Sequence, residues 1–387
     1  MSASDGGGIY TDGQSDPQLV NVTFNANTAT NNGGGMANAN ANISLRGVTL
    51  NGNTAGNHGG AIYDSYAYAT LTDVTLAGNS ALAGGAIYND IFVSLPSTIN
   101  LTNVTFKANT ASTAGGGMFN VDPAASLSLN DVILWGDSAP QGAEVWNASA
   151  VPVIKDSVIA GGCPLTSTCT HVIGANPLLG PLAANGGYTQ TIAPGMGSSA
   201  IDSGGANAAC ASTDQRGISR PQGLTCDIGA YEVRNLALNP GFNSYAGSAK
   251  IPAKWAAVHF AAADGKDTTV RKEGGASVKI SGAAATTKTI GQTIATSGPA
   301  GTKFTFTFWA RGASIPAAGL CQAQVLFYSG TSLNSTKTVP CAIGSYATFQ
   351  KKTIIFSTST SFTKAVIRFT YSKASGTVWF DAVSLMR

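Results

Sequence analysis

Charge is scarce in this chain: Asp, Glu, Lys and Arg make up 11% of 387 residues, against about 25% in an ordinary soluble domain. A surface so poor in ions has to be built from Asn, Thr, Ser and Gly. Histidine numbers only three, which leaves little for a His-based metal site. No run of about 18 apolar residues occurs, so nothing in the sequence reads as a membrane-spanning helix. A 3.6-residue apolar period is missing too, and Gly-Gly pairs with β-branched residues stand where a helix would need Ala, Leu, Glu or Lys.

What is present is a repeat. Five copies read LVNVTFNANTATNNGGGMAN from Leu19, LRGVTLNGNTAGNHGGAIYD from Leu45, LTDVTLAGNSALAGGAIYND from Leu71, LTNVTFKANTASTAGGGMFN from Leu101 and a decayed LNDVILWGDSAPQGAEVWN from Leu129. The equivalent valines, Val22, Val48, Val74, Val104 and Val132, stand 26, 26, 30 and 28 residues apart. A period that tolerates small insertions predicts a solenoid of parallel strands, each turn stacked about 4.8 Å above the last.

Stacking places equivalent side chains above one another. Asn27, Asn53, Asn79 and Asn109, continued by Asp137, are expected to form one amide ladder; Asn38, Asp64, Asn89, Asn120 and Asn147 form a second. Both are read as structural. Gly pairs such as Gly59-Gly60 and Gly84-Gly85 suit corners that a Cβ resists. GGGIYT from Gly6 matches the second half of a repeat, so the first coil is expected to be open and to need a cover.

Six cysteines fall into close pairs, Cys163 with Cys169, Cys210 with Cys226 and Cys321 with Cys341. Fifteen connectivities are possible, and nearest-neighbour disulfides in an oxidising, extracellular setting are the favoured reading. Composition changes near Val233. Residues 1–232 hold five Lys/Arg and 15 Asp/Glu, whereas 233–387 hold 17 and four. Period-2 segments take over there, among them KFTFTFW from Lys303 and AVIRFTY from Ala365. They predict an antiparallel sandwich. The expected organisation is therefore regular coils over 1–150, terminal coils with a disulfide-tied closing segment that caps the solenoid over 151–232, and a sandwich over 233–387, with about seven coils in all.

The pairing of FNAN with GGGM, and of LAGN with GGAIY, resembles the repeats of chlamydial polymorphic outer-membrane proteins and of bacterial surface proteins with a right-handed parallel β-helix of the pectate-lyase type. DQRGISRPQGLTCDIGAYE from Asp214 is similar to the closing segment of β-helix surface proteins whose C-terminal anchors vary. These resemblances imply an all-β right-handed parallel β-helix at a cell surface, and neither pattern carries a catalytic residue. NLALNPGFN from Asn235, IPAKW from Ile251, FTFWARG and VWFDAVSL look like the jelly-roll carbohydrate-binding modules of bacterial glycanases. In that family the opening motif usually ends in Glu and the closing motif carries paired Asp. Here Asn243 and a single Asp381 followed by Ala382 stand instead, so the structural calcium of the family is not expected, nor any other cofactor.

Strand alternation suggests a sugar platform. With Phe304, Phe306 and Phe308 inward, Trp309 and Arg311 face out; with Val325 and Phe327 inward, Gln324 and Tyr328 face out, as does Arg368 beside Ile367 and Phe369. An exposed aromatic and planar polar set on one sheet would take a glycan. Trp255 and Trp379 are read as packing residues. Catalysis finds less support. Only Asp131 and Asp156 stack, aligned with Asn103, Asp73, Gly47 and Asn21, and they read as solvated corner residues with no basic partner. His58, His171 and His259 fall in unrelated settings. Nucleic acid is not indicated, because the lysines are scattered singly. The expectation is a secreted bacterial surface protein, structural and adhesive, binding polysaccharide or associating head to tail through opposed charges; the alternative is a polysaccharide lyase or glycoside hydrolase with a carbohydrate-binding module.

Overall fold

The structure, a computed structural model, describes residues 3–13, 15–66, 68–90, 98–121, 126–206, 210–223, 225–341 and 343–387. It is all strand and loop, without a helix among the described residues. The chain divides into two compact units, Met1–Val233 and Arg234–Arg387.

The first unit is a parallel β-solenoid with three walls. One wall stacks six strands, Ile9–Asp12, Met36–Ala39, Ile62–Ser65, Ile87–Asp90, Met118–Asn120 and Val145–Asn147, all parallel and in register. A second climbs from Gln18–Val20 through Ile43–Arg46, Tyr68–Ala77 and Thr98–Lys107 to Val153–Ile159 and Thr168–Ile173. The third, of Thr28–Ala29, Thr54–Ala55, Ser80–Ala83 and Thr110–Ala114, is short. Inside, Val48, Val74, Val104 and Val132 stack with Leu45, Leu71, Leu101 and Leu129 into one apolar column. Each such side chain contributes about 1.5–3 kcal/mol by burial.

Each coil bends where the repeat demands it. Gly59 adopts a left-handed φ of 65°. A Cβ on Gly60 would run into the carbonyl oxygen of Gly85 on the next coil. A second corner column, Asn21, Gly47, Asp73, Asn103, Asp131 and Asp156, is left-handed throughout, with φ between 45° and 66°. Asn, Asp and Gly recur there because they tolerate that conformation.

The first amide ladder is continuous. Asn53 Oδ1 accepts the Asn27 backbone N–H at 3.0 Å and its Nδ2 at 2.9 Å. The pattern repeats from Asn53 to Asn79, Asn79 to Asn109 and Asn109 to Asp137 Oδ1. The second set is stacked but broken. Asn38 Nδ2 donates to Asp64 Oδ1 and Asn120 Nδ2 to Asn147 Oδ1, yet the buried Asn89 amide between them has no partner among the described residues. Backbone stacking fixes its position, but its side chain reaches neither neighbour.

The second unit is a jelly-roll sandwich of two five-stranded antiparallel sheets. One runs in the order Ala256–Val258, Lys288–Ile294, Lys364–Tyr371, Cys321–Ser329, Ser332–Pro340; the other Gly265–Asp267, Ser277–Ser281, Thr377–Met386, Lys303–Ile315, Gly344–Ser357. Phe304, Phe306 and Phe308 point inward against Phe327 and Phe369. Trp255 packs into this core as expected. All three cysteine pairs are disulfides, which suits a non-cytoplasmic protein.

Candidate carbohydrate-contact faces

The five platform residues do not share one sheet. Gln324 and Tyr328 lie on Cys321–Ser329 and Arg368 on its neighbour Lys364–Tyr371, whereas Trp309 and Arg311 lie on Lys303–Ile315 of the other sheet. Alternation correctly turns each outward, but parity along a strand says nothing about which sheet the strand joins. The set therefore splits into two faces on opposite sides of the sandwich.

On the first face Gln324 and Arg368 are cross-strand partners. Gln324 Oε1 accepts from Arg368 Nη2 at 3.1 Å and Nε at 3.3 Å. Gln324 Nε2 donates to Thr338 Oγ1 at 3.3 Å. Tyr328 stands farther along, the Lys364 ammonium 5.1 Å from its ring centre. All four long side chains are half-buried. On the second face Trp379, expected from the sequence to be a packing residue, is also half-buried and turned outward, its Nε1 donating to Asp267 Oδ2 at 2.8 Å.

The side chains at the positions that the resemblance would give to calcium are bonded to backbone N–H groups. Asn243 Oδ1 accepts the Gly275 N–H. Asp381, fully buried, accepts N–H groups of Lys272 and Glu273 on Oδ2 and of Ala382 on Oδ1.

The solenoid's corner acids are not solvated. Asp73, Asn103, Asp131 and Asp156 are at most 1% exposed, because the segment expected to cap the last coil runs back along the side instead. Ala211 N–H donates to Asn103 Oδ1, Gly205 N–H to Asp131 Oδ1 and Ala230 N–H to Thr105 Oγ1. The Thr of the Val-Thr-Phe/Leu motif provides the track. Where the fifth copy substitutes Ile133, the strap answers with Ile228 and Ala200 in a small apolar cluster. Strap and acids form a buried network in which Arg220 pairs with Glu232 at 2.9 Å, both side chains wholly buried. His171 also has a role, its Nδ1 lying 2.8 Å from Asp156 Oδ1.

Burial raises Asp131 to about 7, assisted by the Asp156 charge. Asp73 is raised to about 7 by burial and by Asp214, against the pull of Arg220 and Arg46. It lies at a cleft of about 260 Å³ shared with Arg46, Tyr188 and Arg216. A further feature is not anticipated by the sequence patterns above: Tyr63, Tyr88 and Phe119 stack in register on the outside of the six-stranded wall, 5.9 and 4.8 Å apart, with His58 4.2 Å from Tyr88. The aromatic that follows Ile62, Ile87 and Met118 in three successive Gly-Gly motifs is its signal.

Residues 47–65, most of the second coil, match the Chlamydia polymorphic membrane protein (Chlamydia_PMP) repeat. No curated protein matches the chain. Among solved structures, the enzymatically active domain of bacteriophage CBA120 tailspike protein 4 is 13% identical with a TM-score of 0.38, over 91% of this chain and 55% of that one. A family 16 carbohydrate-binding module is 16% identical with a TM-score of 0.28, over 32% of this chain and 86% of its own. TmCBM61, solved with β-1,4-galactotriose, is 16% identical with a TM-score of 0.30, over 40% and 99%. The fold is a parallel β-solenoid, one coil of which matches a polymorphic membrane protein repeat, followed by an antiparallel jelly-roll sandwich.

Proposed function

We propose that this is a secreted cell-surface protein whose solenoid is a rigid structural spacer and whose sandwich adheres to glycan. The observation that supports this most is the Arg368–Gln324 pair: two planar, hydrogen-bonding side chains held side by side on an outward sheet face, with Tyr328 on the same strand as Gln324. Such groups suit the paired hydroxyls of a sugar ring, and a tyrosine ring suits its apolar edge. Two stacked sheets keep them in place without ligand, which lowers the ordering cost of binding. Retention of the full chain on a panel of immobilised neutral polysaccharides tests the reading, with Gln324→Ala expected to weaken it while circular dichroism stays unchanged.

Nine of the solenoid's acids are buried, so its formal charge is mostly internal. That removes much of the electrostatic basis for head-to-tail contact between copies. The alternative, polysaccharide cleavage, draws on Asp73, whose carboxyl oxygens lack a partner among the described residues and whose raised pKa suits an acid. Its neighbour Asp214 is committed to Arg216 at 2.6 Å, leaving no second free carboxylate there among the described residues. Release of reducing or unsaturated ends by the wild type, lost in Asp73→Asn, would favour the enzyme.

A further inference from the structure

The outer face of the other sheet gathers what the sequence scatters. Lys279 and Arg311 are the cross-strand partners of Trp379 on either side, and Lys351 is the partner of Trp309. The Arg311 guanidinium carbon stands 5.7 Å from the Trp379 ring centre, and the Lys272 ammonium 4.3 Å from that of Trp309. Lys272 and Lys351 are exposed; Lys279, Arg311 and both indoles are half-buried.

Among the described residues, the four cations of this face outnumber the carboxylates beside them. Asp381 is buried on backbone N–H groups, whereas Asp267, half-buried and accepting from Trp379, Thr269 and Val270, keeps its negative charge and offsets one of the four cations. Asp264 is buried and pairs with Lys288 at 2.7 Å. Glu273, the remaining carboxylate of the unit, is half-buried.

We propose that this face is a second and separate carbohydrate surface, selective for anionic polysaccharide. Carboxylate or sulfate groups along the chain would pair with Lys272, Lys279, Arg311 and Lys351, and Trp309 and Trp379 would line the path. Charge complementarity supplies the attraction. The number of cations supplies the selectivity: four around two indoles favour an anionic chain over a neutral one. A single-stranded nucleic acid is disfavoured because its bases need open rings on which to stack, and Lys272 stands over Trp309 and Arg311 over Trp379. The surface lies across the sandwich from Gln324 and Arg368, so it stands or fails independently of them.

Titration calorimetry of the full chain tests it, with polygalacturonate, neutral dextran and single-stranded DNA as probes at low and moderate salt. Polygalacturonate is expected to bind, more weakly as salt rises, and neutral dextran not to compete for this face. The double variant Arg311→Gln with Lys351→Gln, its folding checked by circular dichroism, should weaken binding by about tenfold or more, while Gln324→Ala should not. Trp379→Ala should weaken it as well; if that variant misfolds, Trp379→Phe, which keeps an aromatic, should retain binding. No binding by the wild type, unchanged binding in the double variant, or tighter binding of DNA than of polygalacturonate would overturn the proposal.

Discussion

Gln215 Nε2 lies 2.9 Å from Thr49 Oγ1, although 166 residues separate them in sequence. The same amide reaches Thr189 Oγ1 at 2.9 Å, and its Oε1 accepts from Thr75 Oγ1 at 2.7 Å. One side chain thus ties two neighbouring coils to the strap. Coils of a solenoid otherwise contact only their neighbours, so a strap bonded to several of them couples their unfolding.

The strap's strength rests on a buried ion pair. Truncating Glu232 to Ala leaves Arg220 charged and enclosed, which should cost about 3 to 5 kcal/mol. Glu232 also accepts the Asp227 and Gln222 N–H groups. Denaturant unfolding of the variant should show a lower midpoint, and proteolysis should first cut the strap. An unchanged midpoint would mean that the strap contributes no stability.

Acidity should favour the solenoid. Burial raises Asp64, Asp73 and Asp131 to about 7 from 3.8. The folded state therefore holds protons that the unfolded chain has released, and stability falls as pH climbs from about 4 to about 7, with the penalty complete above that. A tenfold difference in proton affinity between the folded and unfolded chain corresponds to about 1.4 kcal/mol, so the first unit should melt at a lower temperature at pH 9 than at pH 5. Asp137 adds to the effect, since burial and the neighbouring Glu144 raise it. Asp137→Asn, which extends the amide ladder with a neutral group, should reduce the difference.

Replacing Asn79 by Leu removes the acceptor for the Asn53 N–H and Nδ2 and the donor to Leu50 O. Each stranded buried group costs about 1 to 3 kcal/mol. Asn89→Leu is the contrast, because that amide has no partner among the described residues; its midpoint should move far less. Equal losses at both positions would contradict the ladder account.

These ladders are legible in the sequence because stacking converts a period directly into contact. Val22 to Val132 mark the coils, and Asn27 to Asp137 mark a corner. Nothing comparable marks the strap. It has no period of its own, and its partners Thr49, Thr75 and Asn103 are over a hundred residues away. The recurring Thr of each Val-Thr motif is a clue, since a solvent-facing residue has little reason to be so constant. The sandwich shows the same limit. Alternation reveals that Trp309 and Arg368 face outward, but the sheet each joins depends on strand order, which short-range pattern does not encode. The corner acids mislead for one reason only: Asp73, Asp131 and Asp156 look like turn residues, and the chain that buries them lies elsewhere in the sequence.

That the Gln324–Arg368 face contacts glycan is tested most directly by affinity electrophoresis through gels that each contain a single neutral polysaccharide. The wild-type chain should be retarded by at least one of them. Gln324→Ala and Arg368→Ala should migrate as in a sugar-free gel, at a cost of about 1 to 3 kcal/mol in binding, with circular dichroism unchanged. Retardation that persists in both variants would contradict the account.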